Sequence, residues 1–210
     1  MRMAKGFLTT AVVLGIALGV AIAQGPPPGG GGKGGGGGKG GGKGGRGGGG
    51  IAAPISITVT GYPDGGAVAA KYGCGGGNMG ASPEIKWSGA PADTGAYTVI
   101  FHDTDVALPT GEDVLHWAIF DIPGTATGLP EKVANTSDLP DGSKQLNNIG
   151  GTPGFFNPCP PPPTTHHYIF EVYALDGKLG LPASTSRADL LKAMNGHIRA
   201  KGTYTGTYKQ

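Results

Sequence analysis

Five short runs of this chain are rich in β-branched and aromatic residues, with a period nearer two than 3.6. They are ISITV at 55–59, AYTVIF at 96–101, VLHWAIFDI at 114–122, YIFEVYAL at 168–175 and YTGTY at 204–208. Gly, Pro, Asp or Thr bounds each run, as expected of strands separated by turns. Period two sends successive side chains to opposite faces. The pattern predicts an all-β-dominated domain, a sandwich of packed sheets. One segment departs from it. Ser186 is placed as an N-cap with Asp189 three residues later, a shortened capping box. Leu190, Leu191 and Met194 then supply an apolar stripe, and Gly196 is placed to end it. These features predict one helix over 187–195.

Residues 1–50 have a different character. Arg2 and Lys5 precede an uncharged apolar run from Phe7 to Ala23, which ends in Ala21-Ile22-Ala23. This is the pattern of a cleavable export signal over residues 1–23. Seventeen apolar residues are marginal for spanning a bilayer, the competing reading. Gln24, not a cysteine, directly follows Ala23, so a lipid-modified N-terminus is not expected. Residues 24–50 are three prolines and a glycine tract broken mainly by Lys33, Lys39, Lys43 and Arg46. Glycine has nothing to bury, so a flexible tether is expected, open to weak contact with an anionic envelope surface. Six of the sixteen Lys/Arg and none of the fourteen Asp/Glu lie in residues 1–50. Residues 51–210 thus carry ten bases against fourteen acids, which argues against nucleic acid as a partner. About 160 residues suffice for one domain with a real core.

Cys74 and Cys159 are the two cysteines. In an exported chain an even pair suggests a disulfide, here closing a loop of roughly 85 residues; two buried thiols are the alternative.

Polar residues gather at strand ends. By alternation, Tyr97, Val99 and Phe101 share a face that Asp103 and Asp105 continue if the strand extends. His116 shares parity with Val114, Ala118, Phe120 and Ile122, so it must find a partner or line a cavity. His166 and Tyr168 share a face with Phe170, while His167 points the other way. Each residue also has a structural explanation, as a turn former or a satisfied core histidine. A metal site of His116, His166 and a carboxylate lacks HxxxH or CxxC support. No GxSxG marks a serine nucleophile, and a Cys159/His thiol nucleophile competes with disulfide formation.

Three blocks of the chain resemble the phosphatidylethanolamine-binding protein (PEBP) family, in its bacterial, Raf-kinase-inhibitor-like branch. They are CGGGNMGASPEIKWSGAP, HDTDVALPTGEDVLHWAIFDIP and GFFNPCPPPPTTHHYIFEVYALD, in the family's order and spacing. The resemblance covers roughly residues 55–208. It implies a Greek-key β-sandwich with one or two short peripheral helices. It also implies an anion-binding pocket formed by Asp103, Asp105, His116, Pro158, His166 and Tyr168. The implied ligands are phosphate-like groups and phosphorylethanolamine-type headgroups. No cofactor or turnover is implied. Regulation of a protein partner such as a protease fits an exported chain, whereas a cytosolic kinase does not. Four departures bear on the pocket, one of them two extra residues before the glycine that follows DTDVALP. Thr104 replaces a proline, Asn157 replaces a glycine, and His167 replaces an arginine. Within 157–170 the family pattern makes Asn157–Pro160 the pocket wall and Pro161–Thr165 an exposed connection, with one X-Pro bond expected to be cis.

Overall fold

The computed structural model describes residues 54–77 and 79–210. The expected export signal and the glycine-rich tether lie outside the described residues. The β-rich expectation holds. The strands are β1 (Ser56–Val59), β2 (Gly66–Ala67), β3 (Ile85–Ser88), β4 (Ala96–Ala107) and β5 (Asp113–Pro123). They continue with β6 (Gly128–Leu129), β7 (Lys144–Gln145), β8 (Thr165–Leu175) and β9 (Ile198–Lys209). One α-helix, α1 (Arg187–Met194), and two short 3-10 helices, Ala70–Tyr72 and Cys74–Gly76, interrupt them. The Ser186 hydroxyl accepts from the Asp189 amide at 3.1 Å, and Gly196 follows with φ +85°. The helix thus starts where its cap predicts and ends one residue earlier than expected.

Two sheets form. The smaller has the order β1-β3-β6, the larger β2-β9-β8-β4-β5-β7. All pairings are antiparallel except β2 with β9. Val59, Ile85, Trp87 and Leu129 of the small sheet share one core with Val99, Phe101, Trp117, Phe170 and Val172 of the large one. The opposite face of the large sheet is covered as well. There Ile100, Ala118, Phe120, Tyr173 and Leu175 pack with Leu190 and Met194 of α1. The large sheet is therefore a middle layer, and β4 is buried on both faces from Ala96 to Asp103. A strand buried on both sides loses its polar face, which is why AYTVIF reads as a continuous apolar run. Alternation also under-reported the short strands. Leu129, Lys144 and Gln145 sit in two-residue strands too brief to leave a pattern.

Two irregularities in β5 correct the expected face of His116. Phe101 pairs with Trp117, but the next residue, His102, pairs with Leu115, so His116 is an extra residue in a bulge. A second shift falls between the pairs Tyr97/Ile122 and Val99/Ile119, where Asp121 has φ +56°. Each bulge rephases the strand. Trp117, Ile119 and Ile122 enter the core between the sheets, whereas Ala118 and Phe120 face α1. The expected single face of Val114, His116, Ala118, Phe120 and Ile122 is thus split.

Covalent and polar ties hold the loops. Cys74 and Cys159 form a disulfide with Cα atoms 5.3 Å apart. Asn157, fully buried, donates to the Tyr72 carbonyl at 2.8 Å and accepts from the Gly80 amide at 2.6 Å. The cis bond in the proline run joins Pro162 and Pro163.

Candidate functional site

The ends of β4, β5 and β8 carry the polar cluster. Asp103 opposes both Val114 and Tyr168, so side chains from three neighbouring strands converge at this edge. Below them, Phe101 stacks on Phe170 at 4.1 Å and on Phe155 at 5.3 Å between ring centroids. This aromatic layer makes a dry floor that strengthens any electrostatic contact above it. The cavity over it has a volume of about 210 Å³. Asp103, His116, His166 and Tyr168 supply its polar lining. Val106, Val114, Ile149, Phe156, Cys159, Pro160 and Pro161 supply the remainder.

Each polar group has a distinct state. His166 donates through Nδ1 to Asp103 Oδ2 at 2.7 Å, and the Asp105 amide donates to Asp103 Oδ1 at 3.0 Å. Both carboxylate oxygens of Asp103 are therefore engaged. His116 Nδ1 lies 2.9 Å from the Phe156 carbonyl, which can only accept, so Nδ1 carries the proton. Nε2 makes no hydrogen bond to the described residues. Burial pushes the imidazole below its ordinary value, against the Phe156 carbonyl and the Asp103 charge, which raise it. Tyr168 is fully buried, yet its hydroxyl has no hydrogen-bond partner among the described residues. Burial and the nearby Asp103 charge hold the phenol far above its ordinary value. The Asp103 carboxylate and the Cys159 backbone are close, but neither completes a hydrogen bond to it.

The structure thus brings Asp103, His116, His166 and Tyr168 together, but not Asp105 or Pro158. Beyond Asp103 the pairing of β4 with β5 breaks until Ala107 meets Asp113, and alternation is lost there. Asp105 swings to the exposed rim, where its carboxylate accepts from the His167 amide and, at 2.9 Å, from the His167 ring. Burial opposes ionisation of Asp105, but these donors outweigh it and hold its carboxyl below the usual range. His167 therefore serves the rim, in the place of the family's arginine. Pro158 is buried and its carbonyl accepts from the Cys74 amide at 3.0 Å, so the wall is Cys159–Pro161 instead of Asn157–Pro160.

Sequence reasoning missed Ile149 and Phe156. They come from a loop held by the Asn148 side chain, which donates to the Gly154 carbonyl at 2.9 Å, and by Asn135, which accepts from the Phe155 amide at 3.2 Å. Gly154 has φ +101°, and a Cβ there would sit 2.1 Å from Asn135 Oδ1, so only glycine fits. The glycine before an aromatic pair was the one local signal available.

The enzyme-like alternatives find little geometry. Among the described residues, no three His, Cys, Asp or Glu side chains are grouped to hold a metal ion. His166 Nδ1 and Asp103 Oδ2 are spent on each other, and His116 Nδ1 on Phe156. Thr164 Oγ1 lies 3.4 Å from His166 Nε2, which superficially forms a Thr-His-Asp row. Its hydrogen is donated to the Pro161 carbonyl, so His166 has no proton to take from it. Cys159 is oxidised.

Comparison with known proteins agrees with this architecture. The family model described as phosphatidylethanolamine-binding protein matches residues 58–209. A UPF0098 protein of Methanothermobacter thermautotrophicus is 38% identical over 149 residues, covering 71% of this chain and 95% of that protein. The solved structure of Escherichia coli YbcL superposes with a TM-score of 0.66 at 32% identity, covering 75% of this chain and 99% of YbcL. A Mycobacterium tuberculosis relative named as a lipoprotein, LppC, is 31% identical over 162 residues, covering 74% of each chain. By fold, by motif order and by these matches, the chain belongs to the phosphatidylethanolamine-binding protein family.

Proposed function

We propose that this protein is a non-enzymatic binder whose pocket takes a small anionic group, phosphate and phosphorylethanolamine-type heads included. The observation that carries the reading is the Tyr168 hydroxyl, buried and unpaired in a cavity shared with His116. A buried hydroxyl without a partner costs about 1–3 kcal/mol, so an acceptor brought into the cavity beside it would recover that cost. An anion oxygen supplies the missing acceptor. His116 adds a second donor through Nε2 once it takes a proton. Asp103 holds His166 in a fixed orientation and excludes alternative partners for it. No side chain here is poised to attack a bound group, which favours retention over turnover.

The expected export signal and the lipoprotein name of the LppC relative support a place in the cell envelope or outside it. In that setting the pocket acts on its own or through a protein partner such as a protease, with residues 24–50 as a tether. The test is calorimetric titration of inorganic phosphate and phosphorylethanolamine into the protein and into His116→Ala. Binding is expected, and the variant should weaken it at least about tenfold, the scale of one charge-assisted hydrogen bond. No binding to either protein, or equal binding to both, removes the proposal.

A further inference from the structure

We propose that the Cys74–Cys159 disulfide is a redox latch on this pocket: reduction by a dithiol releases residues 158–164 and weakens the hold on a bound anion. The inference rests on the anion reading above and adds the regulation of that site.

The latch follows from what holds the segment. Five of the seven residues 158–164 are proline, which has no amide hydrogen to donate. Among the described residues, one backbone hydrogen bond joins these seven to the rest of the domain, from the Cys74 amide to the Pro158 carbonyl. The Thr164 amide and hydroxyl turn back onto Pro161, inside the segment. The disulfide is the covalent tie, and it too ends on Cys74. Cys74 stands in the run 73–77, where every other residue is glycine, so little side-chain packing fixes its own position. Pro158 and Pro160 are buried, whereas Pro161, Pro162, Pro163 and Thr164 are exposed. With the sulfur bond cut, one hydrogen bond and two buried prolines are left to hold the segment.

Cys159, Pro160 and Pro161 line the same cavity as His116 and Tyr168. Releasing them admits water beside both groups, which raises the local dielectric and weakens their contact with an anion. The bond is also within reach. Cys159 is exposed and Cys74 half-buried, so an incoming thiolate attacks at Cys159 Sγ. It forms a mixed disulfide and expels Cys74 as a thiolate, which takes up a proton. The second thiol of the dithiol then displaces Cys159, which is protonated in turn. Two electrons and two protons pass to the cysteines, and the dithiol leaves as a disulfide.

The experiment titrates inorganic phosphate into the full-length protein, oxidised and after treatment with dithiothreitol, and into Cys74→Ser/Cys159→Ser under both conditions. Reduction should weaken phosphate binding about tenfold, and reoxidation should restore it. The double variant should bind like the reduced parent and ignore dithiothreitol. Amide hydrogen exchange on the parent reads the release directly. The Cys74 amide should lose protection on reduction while the Phe170 amide, in the middle of β8, keeps its own. Equal affinity in the two redox states of the parent, or a Cys74 amide equally protected in both, overturns the latch. Loss of protection at Phe170 overturns it as well, because reduction would then unfold the domain and not free one segment. Phosphate failing to bind even the oxidised protein overturns the anion reading and the predicted loss of affinity, while exchange still decides whether the segment is released.

Discussion

Replacing Tyr168 with phenylalanine should make the empty protein more stable and the binding protein worse. The side chain is fully buried, packs 5.2 Å from the His116 ring and 5.8 Å from Phe101, and keeps its hydroxyl unpaired. Tyr168→Phe deletes only the oxygen. The ring contacts stay, and the space gained opens onto an existing cavity, so little packing is lost. What disappears is the cost of a buried, unsatisfied hydroxyl, about 1–3 kcal/mol. A gain of about 1 kcal/mol corresponds to roughly 2–4 °C in melting temperature for a domain of this size. Phosphate affinity should move the other way. A hydrogen bond to a charged group is worth about 1.5–3 kcal/mol, so affinity should fall by about ten- to a hundredfold. Scanning calorimetry on both proteins reads the first effect and titration calorimetry the second. A variant destabilised by 1 kcal/mol or more would refute the reasoning, because it would mean that the hydroxyl is satisfied in the empty protein. Unchanged affinity would refute the assignment of Tyr168 as an anion donor.

His116 makes anion affinity pH-dependent. Burial depresses its pKa, so below the ordinary histidine value near 6.5 the unfolded chain takes up a proton that the native state resists. Stability therefore falls as the pH drops through this range and levels off below the native value. A bound anion reverses the preference by favouring the imidazolium. Affinity for sulfate, which does not titrate here, should tighten as the pH falls from 8 to 5, and His116→Gln should flatten the profile; a flat profile in the parent protein would remove His116 from the anion contact. The disulfide is the other lever. Cys74 and Cys159 are separated by 85 residues, which in the chain-entropy model is worth up to about 4–5 kcal/mol. The double variant Cys74→Ser/Cys159→Ser should lower denaturant stability by a sizeable part of that, and a loss below 1 kcal/mol would show that Asn157 and the Pro158–Cys74 hydrogen bond hold the wall alone.

Much of the fold was legible because strands and caps leave local marks. The five β-rich runs became β1, β4, β5, β8 and β9, although 198–203 of β9 read as no strand. IRAKGT carries charge and glycine where the strand is still paired to β8 apart from a bulge at Arg199. Ser186 and Asp189 placed the helix because capping is settled within four residues. In β8 the alternation of His166, Tyr168, Phe170 and Val172 holds, since its pairing with β4 and β9 is regular over that stretch.

The chain by itself determined which segments pair as strands, which cysteines could close the long loop, and that Asp103, His116, His166 and Tyr168 stand near strand ends. These are short-range properties, written in residue type and period. The tertiary structure decided the rest. Bulges at His116 and Asp121 rephased β5, a choice made by pairing with β4 and invisible to a strict period of two. The break after Asp103 sent Asp105 to His167 instead of the pocket. Ile149 and Phe156 reached the cavity only because Asn135, Asn148 and Gly154 fold their loop over β5. Which polar atom in the pocket is left without a partner depends on ångström-scale placement of three strands at once, and no spacing along the chain encodes it.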